Sequence, residues 1–267
     1  MCSSDLTAIR EGGVPVVVPT NQTINHPDPY RLWRCLNMDQ ERFDRQIRLF
    51  GRAGQERIAD TYAVLVGAGG TGVHTGQQLV LLGVRKFGII DADHATKTSR
   101  NRLIGMRPGD AEAKIPKVTI AERMIREIDP DVEITVVNDT LVSEAGAAEL
   151  AKATVIFGCV DRDGARHLLN EFACAYDKPF FDLATDTDME NGRVSFGGRL
   201  VVRTDGHACL YCMDLLDRAA VRRDLSSPER REEEDKMYGV SRDALGETGP
   251  SVVSLNGIIA SLAVTEF

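Results

Sequence analysis

The segment Gly67-Ala68-Gly69-Gly70-Thr71-Gly72 has the composition and spacing of a turn that holds phosphate. Glycine is required there because the chain must reverse sharply while its N–H groups approach phosphate oxygens. The helix that such a turn opens adds the positive end of its dipole. The next apolar run ends in Asp91, where a carboxylate can accept hydrogen bonds from both hydroxyls of a ribose. These residues specify a nucleotide without specifying a reaction. An NAD-dependent oxidoreductase is the first reading of the turn alone.

Downstream lie residues that hydride transfer does not call for. Asp91-Ala92-Asp93 is followed by Ser99-Arg100-Asn101-Arg102, then by Lys117 at a helix start, then by Asp161 at the end of an apolar run. Two cations and several carboxylates directed at one nucleotide point to chemistry on the phosphates. Arg102 and Lys117 can neutralise charge that builds on the phosphoryl oxygens, and Asp161 can hold Mg²⁺. Taken singly, each is an ordinary surface charge.

The elements that must carry these residues follow from periodicity. Tyr62 to Val66, Phe87 to Ile90, Glu133 to Val137, Thr154 to Phe157 and Pro179 to Leu183 read as short strands. Helical spacing separates them over Gly72 to Leu82, Val118 to Ile128 and Asp163 to Tyr176. This alternation predicts an α/β fold, a doubly wound Rossmann-like, mostly parallel sheet. In such a sheet the loops with Asp91, Arg102, Lys117 and Asp161 converge at the carboxyl edge of the strands. Gly192 to Arg203 alternates apolar and polar residues and predicts an antiparallel C-terminal part. Ahead of the sheet, Phe43, Ile47 and Phe50 share a helix face that Gly51 and Gly54 interrupt, with a short helix over Gln55 to Ala59. Residues 1–37, punctuated by four prolines, read as a surface-wrapped or partly disordered extension to a domain over 38–267. The charged stretch at about 224–249 reads as a flexible loop, and an apolar helix closes the chain.

Composition narrows the partners. A net charge of −8 in 267 residues excludes a general nucleic-acid binder. No apolar run reaches membrane-spanning length and no signal peptide is evident, so a cytoplasmic protein without membrane contact is expected. Six cysteines in this setting do not form a disulfide framework; Cys209 and Cys212 alone have metal-ligand spacing. Cys159 and Cys174 read as buried residues.

In this order the motifs resemble the MoeB/ThiF adenylyltransferases, relatives of ubiquitin-activating enzymes. The likeness runs from Arg42 to the end of the chain. It comprises Arg42-Phe43-Asp44-Arg45-Gln46, the glycine turn, Asp91-Ala92-Asp93, Arg102 and Lys117. It continues through Cys159-Val160-Asp161, Asn170 with Cys174, and Cys209-Leu210-Tyr211-Cys212. The resemblance implies an enzyme in which ATP lies on Gly67, Gly69, Gly70 and Gly72, with Asp91, Asp93, Ser99 and Arg162 around it. Asp91 would bind the ribose, Arg102 and Lys117 would grip the triphosphate, and Asp161 would organise Mg²⁺. Arg45 would enter the neighbouring subunit's site in a homodimer. The implied reaction joins AMP to the C-terminal glycine of a small ubiquitin-like or sulfur-carrier protein and releases pyrophosphate. A downstream conjugating enzyme or sulfur donor would then receive the activated carrier.

This chain departs from the family pattern at Ser99 and Arg162, where asparagine is usual. Cys209 and Cys212 match the first half of the family's zinc site, but no second pair follows. Either the chain is cut short at its C-terminus or the pair carries no Zn²⁺. Residues 213–267 contain no cysteine, so the adenylate is expected to pass to an external acceptor without a thioester on this chain. An inactive partner subunit is the remaining alternative; retention of Arg45, Arg102, Lys117 and Asp161 counts against it.

Overall fold

The short apolar runs become strands of one sheet. The computed structural model describes residues 39–190, 193–204, 209–226 and 251–267. Its strands are β1 (Tyr62–Val66), β2 (Lys86–Ile90), β3 (Glu133–Val137), β4 (Val155–Gly158), β5 (Phe180–Glu190) and β6 (Arg193–Arg203). They lie in the order β3-β2-β1-β4-β5-β6. β1 to β5 pair in parallel, with Val66 opposite Ile90 on one side and Gly158 on the other. The chain builds outward from β1 to β3, then crosses back to β4. That reversal beside β1 opens the crevice where ligands of doubly wound sheets bind.

β1 shows why both faces must be covered. Ala63 and Leu65 enter one core while Val64 and Val66 enter the other. The first core is closed by α2 (Gly70–Leu82), α3 (Lys117–Ile128) and α7 (Val253–Glu266), through Val73, Leu79, Ile120, Ile125 and Ile259. The second is closed by α4 (Glu144–Lys152), α5 (Asp163–Ala175) and α6 (Arg218–Leu225), through Leu150, Leu169 and Val221. α1 (Asp44–Asp60) bends at Gly51, whose φ of 70° breaks the helix where the two glycines predicted an interruption. Gln55 in its second half is fully buried and donates to the Leu82 carbonyl at 2.7 Å, which docks α1 on the end of α2.

Three features depart from the sequence reading. α4 was not expected; Ser143 caps it by accepting from Gly146 N at 3.0 Å. β5 runs on to Glu190, because its polar second half pairs with β6 from Thr185↔Gly198 out to Glu190↔Arg193. Asp224 and Leu225, assigned to a loop, finish α6. The rest of that charged segment from residue 227 on, and the N-terminal extension, 1–37, lie outside the described residues. Among the described residues no helix is long and apolar enough to cross a membrane.

Candidate nucleotide site

The glycine turn follows β1 directly. Gly67 has φ +97° and donates its N–H to the Ile90 carbonyl at 2.8 Å. A Cβ at Gly67 would stand 2.4 Å from the Cys159 carbonyl oxygen, and one at Gly72 would stand 1.9 Å from the Gly67 carbonyl oxygen. The turn therefore closes on itself and on the segment after β4, which only glycine permits. At Gly69 nothing lies within 4 Å of the added atom. Among the described residues no side chain caps α2, so N–H groups of its first turn are open to an outside acceptor.

Asp91 ties this turn to β2. Its Oδ2 accepts from Ala68 N at 2.6 Å and its Oδ1 from Asp93 N at 2.7 Å. Burial pushes its pKa up, against Lys117 and those two N–H donors, which pull it down. Each carboxylate oxygen keeps a second lone pair for a ribose hydroxyl. Lys117 opens α3 and is fixed twice by Asp93. Its N–H donates to the Asp93 carbonyl at 2.9 Å, and its Nζ stands 2.6 Å from Asp93 Oδ2. Arg102 closes the 3-10 turn Lys97–Asn101. Its guanidinium folds back on the Thr98 carbonyl at 2.7 Å and Asn101 Oδ1 at 3.2 Å. The Arg102 Cβ borders Gly70 at the start of α2.

Asp161 stands just past β4, exposed, on the segment that packs against Gly67. The turn, Asp91, the two cations and Asp161 thus share the carboxyl edge of β1, β2 and β4. Arg162, in the N-cap position of α5, is exposed beside them. Ser99 is placed otherwise than expected. It is 5% exposed, and its hydroxyl bonds Thr96 Oγ1 at 3.0 Å and Thr96 N at 3.3 Å. The serine closes the capping box of the 3-10 turn instead of facing phosphate. Arg45 is also not brought to this site. Its neighbour Gln46 bonds the Leu81 carbonyl at the far end of α2, about 17 Å along the helix from Gly70 at 1.5 Å per residue.

Sequence reading missed the groups that brace this edge. Arg166 on α5 is 5% exposed and binds the Val160 carbonyl, the Leu183 carbonyl and the fully buried Asp182. One guanidinium thereby ties the end of β4, next to Asp161, to β5. Asp182 also faces Arg199 of β6 at 3.5 Å. Asn256 on α7 is 2% exposed and reaches Thr71 of the turn. Helical spacing marks neither residue: Asn256 sits among apolar neighbours, and Arg166 lies in a stretch that also carries Asp163, His167 and Asn170.

The cysteines divide. Burial pushes the Cys159 thiol up to about 12, so it is no nucleophile at neutral pH. Cys174, expected to be buried, is exposed on α5 beside Cys209. Cys209 Sγ and Cys212 Sγ are 3.6 Å apart. Burial raises the Cys209 thiol, but hydrogen bonds from the Cys212 backbone and thiol, Asn170 and the Tyr211 backbone bring it to about 7. Asn170, fully buried, fixes this turn by accepting from Leu210 N at 2.9 Å.

Among the described residues no group of three or more His, Cys, Asp or Glu side chains could hold a metal ion. A closed zinc site needs four ligands, and Cys209 and Cys212 supply two, so the described residues do not fit Zn²⁺. Mg²⁺ differs, because it is commonly held by one carboxylate together with substrate phosphates. An exposed Asp161 beside the turn fits that requirement.

A family model described as the ThiF family matches residues 43–267. The sulfur carrier protein ThiS adenylyltransferase of Escherichia coli is 27% identical over 66% of this chain and 67% of its own length. The molybdopterin-synthase adenylyltransferase of the same organism is 30% identical over 67% of this chain and 70% of its own. Among solved structures, E. coli MccB with selenomethionyl MccA superposes with a TM-score of 0.62 at 16% identity. That match covers 88% of this chain and 64% of MccB, and at this identity it speaks for the fold.

Proposed function

Because this chain belongs to the ThiF family, we propose that it binds ATP with Mg²⁺ and adenylates the C-terminal glycine of a small ubiquitin-like or sulfur-carrier protein. The observation that carries this reading is the meeting of Lys117, Arg102 and Asp161 at an uncapped phosphate turn. Two of its relatives are named as adenylyltransferases of a sulfur carrier and of molybdopterin synthase. A hydride transfer would leave those charges without a task, which sets the oxidoreductase alternative aside.

The chemistry needs no nucleophilic side chain. The carrier's carboxylate attacks the α-phosphorus, the bond to the bridging oxygen breaks, and pyrophosphate leaves with the electron pair. Lys117 and Arg102 supply positive charge where the phosphoryl oxygens gain negative charge. Each is held by neighbours in the free protein, Lys117 by Asp93 and Arg102 by its own turn. Preorganisation of this kind reduces the reorganisation required at the moment of reaction. Bound Mg²⁺, held by Asp161 and the phosphates, would supply further neutralisation.

We read the active form as a homodimer in the cytoplasm. α7 buries Ile259, Ala260 and Ala263 while exposing Ile258 and Leu262, so apolar residues lie on both its sides. Arg45, on α1 beside the far end of α2, stands too far from its own turn to serve it, which suits action on a partner's site. Mixing Arg45→Ala chains with Lys117→Ala chains should therefore restore activity in part, since one site of each mixed dimer has both residues. Pyrophosphate release after subunit exchange measures this, and no recovery would exclude action in trans.

The adenylate is expected to go directly to an external sulfur donor or to the cysteine of a conjugating enzyme. Of the described thiols only Cys209 is drawn down toward neutrality, and it is tied to Cys212. Enzyme, carrier, ATP and Mg²⁺ mixed and run on a non-reducing gel should give no covalent band. An adduct that reductant removes, and that Cys209→Ser abolishes, would overturn this step. The reading as a whole is tested by ATP–pyrophosphate exchange. Exchange should require a carrier with its last glycine intact, and exchange with the truncated carrier would refute it.

A further inference from the structure

Asn256 lies in the first turn of α7, far from the phosphate turn in sequence but against it in space. Its Oδ1 accepts from Thr71 Oγ1 at 3.4 Å and from Thr185 Oγ1 of β5 at 3.3 Å. Its Nδ2 donates to Ser251 Oγ at 3.2 Å. A Cβ on Gly70 would stand 2.2 Å from that Nδ2. The Asn256 amide thus occupies the place a side chain would take at the first residue of α2, where the uncapped N–H groups begin. An amide nitrogen carries two protons, and Ser251 takes one. The second has no acceptor among the described residues, in a side chain only 2% exposed. A buried donor left unpaired is costly, so the position calls for an acceptor that arrives with a ligand.

α7 also reaches the neighbouring groove. A Cβ on Gly198 of β6 would stand 2.5 Å from Ile259 Cδ1, one turn beyond Asn256. Ala184, Asp186, Phe196, Gly198 and Arg199 line a groove there of about 420 Å³. Asn256 therefore bridges the phosphate turn and the strand pair that walls this groove.

We propose that Asn256 is a further nucleotide-binding residue whose amide donates to a phosphate oxygen of ATP at Gly70, and that α7 thereby links phosphate binding to the β5–β6 groove. The proposal rests on the ATP reading above. It assigns the C-terminal helix a direct part in a site otherwise built from loops of the parallel strands.

The test is equilibrium binding of ATP and of adenosine, by calorimetry, to the full chain and to Asn256→Ala and Asn256→Asp. A hydrogen bond to a charged acceptor is worth about 1.5–3 kcal/mol, so Asn256→Ala should bind ATP roughly tenfold or more weakly. Asn256→Asp keeps the acceptor for Thr71 and Thr185 but sets a carboxylate against the phosphates, and should bind ATP more weakly still. Adenosine, which has no phosphate, should bind all three alike. If the alanine variant fails to fold, the near-isosteric Asn256→Asp carries the test alone. ATP binding to Asn256→Asp at the original affinity would overturn the proposal, as would an equal loss for adenosine. Failure of the unaltered chain to bind ATP would instead overturn the nucleotide reading itself.

Discussion

Lys117→Ala and Asp161→Ala are each expected to slow carrier-dependent pyrophosphate release by about a hundredfold, the cost of removing one preorganised charge contact of roughly 3 kcal/mol. The loss should fall on catalysis and leave folding intact. The Lys117–Asp93 pair has one well-exposed member, Asp93 at 70%, and such pairs contribute about 0–1 kcal/mol to stability. Asp161 is exposed, so its removal leaves no buried group unpaired. Thermal unfolding should therefore shift by only a few degrees in either variant. Lys117→Ala also frees Asp93 to repel the triphosphate, so its ATP KM should rise along with the fall in kcat. Full activity in either variant would remove that residue from the mechanism.

Arg166→Ala should act the other way round, on stability first. The substitution strands Asp182, which is fully buried, with only Arg199 among the described residues left to pair with its carboxylate, at 3.5 Å. It also frees the Val160 and Leu183 carbonyls that the guanidinium joins. Breaking a buried ion pair from one side costs about 3–5 kcal/mol, a large share of the roughly 5–15 kcal/mol that holds a typical domain together. The double variant Arg166→Met with Asp182→Leu should be less destabilised than Arg166→Ala, because no buried charge is left alone. Urea unfolding of the three chains measures the difference. If the double variant is the less stable, the pair is a net source of stability and this account of it fails.

The centre of the parallel sheet was legible because β1, β2 and β4 are buried and read as short apolar runs, as in Tyr62 to Val66. The break at Gly51 and the glycine turn were legible because backbone geometry there leaves no other residue type. α4 escaped notice because Glu144 to Lys152 buries little beyond Leu150 and Glu149 and includes Gly146, so its apolar stripe is too narrow to show a period. The second half of β5 escaped because pairing with β6, rather than apolar alternation, holds it.

At the site, topology sets the loops that carry Asp91, Arg102, Lys117 and Asp161 along one edge of the sheet. Ser99 shows the limit of position in a motif. The Ser99 hydroxyl is bound within its own turn, by the backbone and side chain of Thr96. Arg166 and Asn256 show the converse, since their roles depend on partners 16 and 185 residues away along the chain. No local pattern could have announced either.

The central claim is attack on the α-phosphate of ATP by a carrier's C-terminal carboxylate. Its most direct measurement is the product balance when enzyme, Mg²⁺ and ATP are mixed with a small carrier ending in glycine, together with the intact mass of that carrier. The account predicts one pyrophosphate per turnover and a carrier heavier by one adenylyl group, with no ADP. Release of ADP and phosphate with the carrier's mass unchanged would contradict it.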